Sequence, residues 1–275
     1  MTQPETSPVS RNLFSDDVSL IYERQLVPLL FAPYAADLAA RLVALPLRRV
    51  LEIAAGSGVA TRAMASALPH DVSITATDLS PSMLARASSI GTPRPVTWRQ
   101  ADAMALPFAD GEFDAVVCQF GAMFFPDKPH AFAEARRVLR DGGVFLFAVW
   151  DRIEENELAH VVESTLASVF PDDPPRFMSR IPHGYFDVAT IERDLAAGGF
   201  SGAFVETVAA RSRASSPREV AVAYCEGTPW RSEIEARSTR PLSDFTNIVA
   251  GAIERRFGRG PIDTKIQAHV VTVRR

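Results

Sequence analysis

Lysine is almost missing from this chain: two residues against 27 arginines in a sequence of 275. With a net formal charge of −4 there is no basic surplus of the kind a nucleic-acid binder carries, so the arginine excess reads as genomic codon bias. Cysteine is scarce too. Cys118 and Cys225 are far apart, which excludes a disulfide framework or a paired-thiolate metal site and sets the expectation of a reduced, cytoplasmic location. The five histidines (70, 130, 160, 183 and 269) lack metal-ligand spacing, and no Gly-x-Ser-x-Gly elbow occurs. No uninterrupted apolar run reaches the ~20 residues that span a bilayer. The polar opening Met1–Pro8 has no signal-peptide core, so a soluble protein without integral membrane association is expected.

What is present points to a cofactor. Residues 50–58 read Val-Leu-Glu-Ile-Ala-Ala-Gly-Ser-Gly, an apolar run ending in a glycine turn, and Ser73–Asp78 is a second apolar run closed by a carboxylate. In a parallel sheet the two strand ends lie side by side and face one crevice. Gly56 and Gly58 let backbone approach a ligand, and Asp78 can accept both hydroxyls of a ribose. The expected ligand carries a nucleoside. Asp102 follows a third short strand, placed to accept from an adenine amino group or to cap a turn. The Gly-x-Gly-x-x-Gly spacing of dinucleotide enzymes is absent, which counts against a nicotinamide-dependent reductase.

Residues 1–17 read as a loose terminus. Helical spacing from Val18 to Val43 predicts two helices broken near Pro28 and Pro33. Strands are expected at 49–54, 73–78, 96–100, 113–119 and 144–150. Helices are expected at 59–67, from Pro81 behind a Ser80 cap, and over 130–140, ended by a left-handed Gly142-Gly143 cap. After Trp150 the rhythm changes to helices at 153–170, 191–197, 217–226 and 241–257, with strands at 203–208 and 265–273. The alternation through residue 150 implies an α/β fold with helices on both faces of a parallel sheet.

Taken in order, the 50–58 turn, Asp78, Gln100-Ala-Asp-Ala103, Leu106–Asp114 and Arg137–Gly143 resemble the Rossmann-like (class I) S-adenosylmethionine-dependent methyltransferases, in particular the branch of ubiquinone and menaquinone biosynthesis C-methyltransferases. The resemblance is dense over residues 18–150. It implies a three-layer sandwich around a mostly parallel seven-stranded sheet whose last strand is antiparallel. It implies one methyltransferase domain over 18–275: N-terminal lid helices at 18–45, a cofactor core at 46–150, and cap segments at 151–185 and 210–260. It implies S-adenosylmethionine as cofactor and S-adenosylhomocysteine as product. Glu52 and the turn Ala54, Ala55, Gly56, Ser57 and Gly58 would hold the methionine portion. Asp78, Leu79 and Met83 would take the nucleoside, and Asp102 with Ala103 the adenine. Gln119 and Phe120 would lie beside the methyl group, and Tyr22 would belong to a lid. Ala54 departs from the family pattern, which has glycine there.

Orientation alone supplies much of the barrier reduction in methyl transfer, so no catalytic triad is required. An oxygen or activated-carbon acceptor needs a base, for which His130, His183 and Tyr185 are the candidates. Phe170, Phe177, Tyr185 and Trp230 suggest a partly apolar pocket for a small hydrophobic or aromatic acceptor. A non-catalytic cofactor-binding module stays open as an alternative, as does a homodimer rather than a monomer.

Overall fold

Strands joined by helical crossovers return in the same direction, so an alternating βα sequence builds a parallel sheet. A computed structural model describes residues 20–275; the loose terminus expected over 1–17 lies outside the described residues. Seven strands form one sheet in the order β3-β2-β1-β4-β5-β7-β6. They are β1 (Arg49–Glu52), β2 (Ser73–Asp78), β3 (Thr97–Gln100), β4 (Phe113–Gln119), β5 (Leu139–Trp150), β6 (Ser201–Ala214) and β7 (Ile262–Arg274). The first five pair in parallel, and β7 runs against both β5 and β6. This is the sheet the sequence led us to expect. Central strand β4, Phe-Asp-Ala-Val-Val-Cys-Gln, is buried nearly throughout, as its unbroken apolar run requires.

The helices are α1 (Ala32–Val43), α2 (Val59–Ala67), α3 (Pro81–Ile90), α4 (Lys128–Val138), α5 (Glu157–Val169), α6 (Phe177–Arg180), α7 (Val188–Ala197), α8 (Pro217–Glu226), α9 (Trp230–Glu235) and α10 (Leu242–Phe257). Helices α5, α8 and α10 pack on one another, and α8 also meets the segment that precedes α1. Arg137 braces the strand-connecting loops. Its guanidinium donates to the carbonyls of Leu106 and Phe108 and to Glu134 and Asp110, each within 2.9 Å. The 106–114 and 137–143 segments are thus tied together as structure.

Three local expectations need correction. Pro28 and Pro33 do not break the N-terminal helix. Tyr22–Phe31 takes wide π-helical turns around Pro28 and runs straight into α1, whose first turn holds Pro33. A widened turn no longer needs the amide proline lacks, and Pro33 sits where the amide would be unused. Second, α4 covers Lys128–Val138 rather than 130–140, because Asp127 caps its start and Leu139 is already extended, paired with Phe113. Gly142 has the anticipated left-handed φ of +72°, but within β5, where its amide donates to the carbonyl of Arg275. Third, β6 and β7 are longer than their alternating cores suggested, and the short helices α6 and α9 were not foreseen.

The run Tyr22–Val43 has the length and hydropathy of a membrane-crossing helix, and half of its most apolar window is buried inside the protein. Leu26, Leu29, Leu30, Tyr34, Leu38 and Leu42 form its inward face and join the main core.

Candidate functional site

The carboxyl ends of β1, β2, β4 and β5 open along one edge of the sheet, and β1 and β4 flank the point where strand order reverses, which is where open α/β sheets bind ligands. Glu52 ends β1 fully buried, and its carboxylate accepts from the Thr61 hydroxyl at 2.5 Å. Burial pushes its pKa up from 4.5 to about 8; the Thr61 bond and Arg62 oppose the rise, and the nearby Asp78 adds to it. Asp78 ends β2. One oxygen accepts from the Gly56 amide at 2.7 Å and the other from the Ser80 amide at 2.8 Å. Burial raises its pKa while these amides pull it down.

Asp78 therefore shapes the glycine turn as well as facing it. Gly56 has φ +55° and nothing within 4 Å of where a side chain would begin, so the crevice in front of it is open. Gly58 has φ +84°, and a side chain there would strike Trp98 at 2.8 Å, so its glycine serves packing and turn geometry. Ala54 adopts φ +53°, a left-handed conformation unusual for alanine. Its methyl lies against Gly121, where an added Cβ would be 2.5 Å away. Ala55 and Ser57 are buried in the turn, and Leu79, 48% exposed, flanks Asp78 at the surface. Met83 is buried on α3 behind the Ser80 cap.

Asp102 stands next along the edge, its loop hung on Asp78 by the Ala101 amide at 3.1 Å. One of its oxygens accepts from the Met104 amide at 2.9 Å, so it holds its turn, with Ala103 half-buried beside it. From the opposite side the π-helical segment leans over the edge. Glu23 pairs with Arg62 at 2.5 Å, and Arg62 also donates to the carbonyl of Ser57. The Tyr22 phenol has its pKa raised by burial first and then by Glu23 and Asp78, which places it within electrostatic reach of that carboxylate. Gln119 donates to the Phe31 carbonyl at 2.8 Å, and Phe120 (φ +53°) stacks on Trp150 with centroids 3.8 Å apart.

Behind Tyr22 and Phe120 lies an apolar cavity of about 90 Å³. Its aromatic walls are Phe31, Phe124, Trp150, Phe177 and Tyr224, and the end of α8 contributes Gly227–Pro229. His183 lines it as well. Its Nδ1 is 2.7 Å from the Asp151 carbonyl, and burial pushes its pKa down from 6.5 to about 4. The ring is thus neutral near pH 7, Nδ1 donating to the carbonyl and Nε2 keeping its lone pair. Of the three base candidates only His183 is here. His130 is exposed in the first turn of α4, and the Tyr185 hydroxyl donates to Asp194 at 2.9 Å. Of the four aromatics anticipated for the pocket only Phe177 lines it; Phe170 stacks on Phe245 and Trp230 packs on Tyr224. Phe31, Phe124, Trp150 and Tyr224 were missed. An aromatic residue closing a strand was a readable hint for Trp150, whereas nothing local marked the other three.

Residues 51–147 match the family model described as "Methyltransferase domain". This span is similar to methyltransferase domains. Among curated relatives, an uncharacterised protein of Mycobacterium tuberculosis is 43% identical over 106 residues, 37% of each chain. A malonyl-[acyl-carrier protein] O-methyltransferase of Geobacter sulfurreducens is 34% identical over 153 residues, 55% of each chain. A demethylmenaquinone methyltransferase of Deinococcus radiodurans is 38% identical over 98 residues, 35% of this chain and 40% of the relative. The matched segments thus span 37% to 55% of the relatives' own length. Among solved structures, a phosphoethanolamine N-methyltransferase of Haemonchus contortus in complex with S-adenosylhomocysteine superimposes with a TM-score of 0.63 at 18% identity, covering 99% of this chain and 61% of that one.

The residues of the crevice fit the S-adenosylmethionine that this similarity implies. Open space fronts Gly56, and the Ser57 hydroxyl and the Gln119 side-chain oxygen are buried without partners among the described residues. Such groups ordinarily find a hydrogen bond.

Proposed function

We propose that the chain is an S-adenosylmethionine-dependent methyltransferase whose acceptor is a small, apolar or aromatic molecule held in the cavity behind Phe120. The observation that carries this reading is a shared wall: Tyr22 lines the cavity, and its neighbour Glu23 pairs with Arg62, which donates to the Ser57 carbonyl of the glycine turn, so acceptor space and cofactor crevice meet at one segment. Bound at the crevice, the cofactor supplies a methyl group already activated on a sulfonium. Glu52 and the Ala54–Gly58 turn would hold its methionine end, Asp78 with Leu79 and Met83 its ribose, and Asp102 with Ala103 its adenine. Gln119 and Phe120 would border the transfer point.

The protein's contribution is placement. Phe31, Phe120 and Trp150 exclude water and orient a flat acceptor, and His183 Nε2 receives the proton the acceptor gives up. The cavity is smaller than the roughly 150 Å³ that holds benzene, so an aromatic acceptor needs its walls to part. A narrower placement among quinone-biosynthesis C-methyltransferases is supported by the identity to the demethylmenaquinone enzyme, and aromatic walls suit a ring better than a charged malonyl group. A cytoplasmic location belongs to the same proposal.

The test is calorimetry with S-adenosylhomocysteine and with NADPH, followed by incubation with S-adenosylmethionine and a panel of small aromatics read by mass spectrometry. Binding of S-adenosylhomocysteine and a methyl-sized mass gain on one acceptor are expected. Binding with no transfer to any acceptor would favour a regulatory module, and protection by NADPH alone would favour a reductase.

A further inference from the structure

Tyr224 sits in the last turns of α8 and is 2% exposed. Its carbonyl accepts from the Thr228 hydroxyl at 2.6 Å, and its ring packs on Trp230. The phenol oxygen is another matter. Among the described residues nothing pairs with it, and burial is the sole cause of its raised pKa, with no neighbouring bond or charge contributing. The Trp230 ring nitrogen is sealed in protein with no partner among the described residues; the Tyr224 oxygen is not sealed, and its residue lines the acceptor cavity. A buried tyrosine hydroxyl ordinarily finds a partner, so this one is left to be met by what enters the cavity.

His183 presents the complementary case. It comes from a different element, its Nδ1 is committed to the Asp151 carbonyl, and Nε2 has no partner among the described residues. The cavity therefore holds the Tyr224 hydroxyl and His183 Nε2 as groups with no partner among the described residues; the Asn156 and Thr228 side chains that also line it are bonded to protein, and no Asp, Glu, Lys or Arg of the described residues lines it. A charged acceptor buried there would lack a counter-ion, which is strongly unfavourable. Resting on the reading of this cavity as the acceptor site, we infer that Tyr224 is a specificity-determining residue. Its hydroxyl donates to an oxygen of the acceptor while His183 Nε2 receives the acceptor's own O–H. The acceptor class is then a small uncharged aromatic with one hydroxyl and a separate hydrogen-bond-accepting oxygen.

The test uses the full chain saturated with S-adenosylhomocysteine and four probes: 4-hydroxybenzaldehyde, phenol, benzaldehyde and 4-hydroxybenzoate, with affinities from ligand-observed NMR at mildly acidic pH. In the unaltered protein 4-hydroxybenzaldehyde is expected to bind tightest, and the anionic 4-hydroxybenzoate at least about tenfold more weakly. Tyr224→Phe keeps the ring and its packing. It is expected to weaken 4-hydroxybenzaldehyde by about fivefold, the order of one neutral hydrogen bond, and to leave phenol unchanged. Equal losses for both probes, no loss, or preferred binding of the anion would overturn the assignment. If S-adenosylhomocysteine binds and Tyr224→Phe discriminates nothing, this inference falls and the methyltransferase reading stands. If S-adenosylhomocysteine itself does not bind, both fall. The probe ranking in the unaltered chain needs no variant to fold.

Discussion

Replacing Asp78 by asparagine isolates the most consequential carboxylate of the crevice. Its two oxygens accept from the Gly56 amide at 2.7 Å and the Ser80 amide at 2.8 Å, and each keeps a lone pair for a ribose hydroxyl. Asparagine has one carbonyl oxygen and no charge. One backbone amide must then face an NH2 group, and the ribose loses its charged acceptor. Hydrogen bonds to charged groups contribute about 1.5–3 kcal/mol and neutral ones about 0.5–1.5, so weakening two ribose contacts costs about 2–3 kcal/mol of binding. The dissociation constant for S-adenosylhomocysteine should rise by about 30- to 150-fold. The unpaired amide should lower folding stability by about 1–3 kcal/mol. Calorimetry gives the first number and urea unfolding the second. An affinity within twofold of the unaltered protein, with the fold intact, would show that Asp78 serves only the turn and that the ribose assignment is wrong.

Three further outcomes follow from the same geometry. His183 has a folded-state pKa near 4 against an ordinary 6.5, so the unfolded chain binds its proton first and stability falls as pH drops from about 6.5 towards 4. His183→Gln should remove about 3 kcal/mol of that acid sensitivity, and unfolding curves that stay parallel to those of the unaltered protein across this range would contradict it. Glu52 has the opposite sign: with a folded-state pKa near 8 against 4.5, its contribution is lost as pH rises through that window. Glu52→Gln should flatten this slope and be the more stable form at pH 8, as thermal melts across the range will report. Gly121→Ala should destabilise by about 2–4 kcal/mol through collision with the Ala54 methyl, while Ala54→Gly removes that methyl and suits φ +53°. The double variant should recover part of the loss, and strictly additive melting data would rule the contact out.

The crevice was legible because its chemistry is local. A glycine turn after an apolar strand, and an acid closing the next strand, follow from backbone freedom and strand register, and the Gly56–Asp78 bond joins the two features. Ser80 acts as the helix cap that its side-chain chemistry and the following proline predicted. What misled was decided at a distance. The glycine pair at 142–143 has the signature of a helix cap, yet pairing with Arg275 claims its backbone for a strand. Pro28 has the signature of a break, yet the buried leucines on either side hold one continuous helical run across it. The cavity draws Tyr22, Phe120, His183 and Tyr224 from four separate stretches, so no short window of sequence contains its pattern.

Strand β7, the last of the seven in chain order, lies inside the sheet between β5 and β6. During synthesis β6 emerges well before the neighbour it must pair with, and its fourteen residues have nothing to zip against until β7 arrives. The crevice edge formed by β1, β2 and β4 lies in the chain ahead of β7, while Asp151 cannot accept from the Gln267 side chain or face His269 until β7 is in place. The last stretch of chain thus completes the middle of the sheet and joins β6 to the rest.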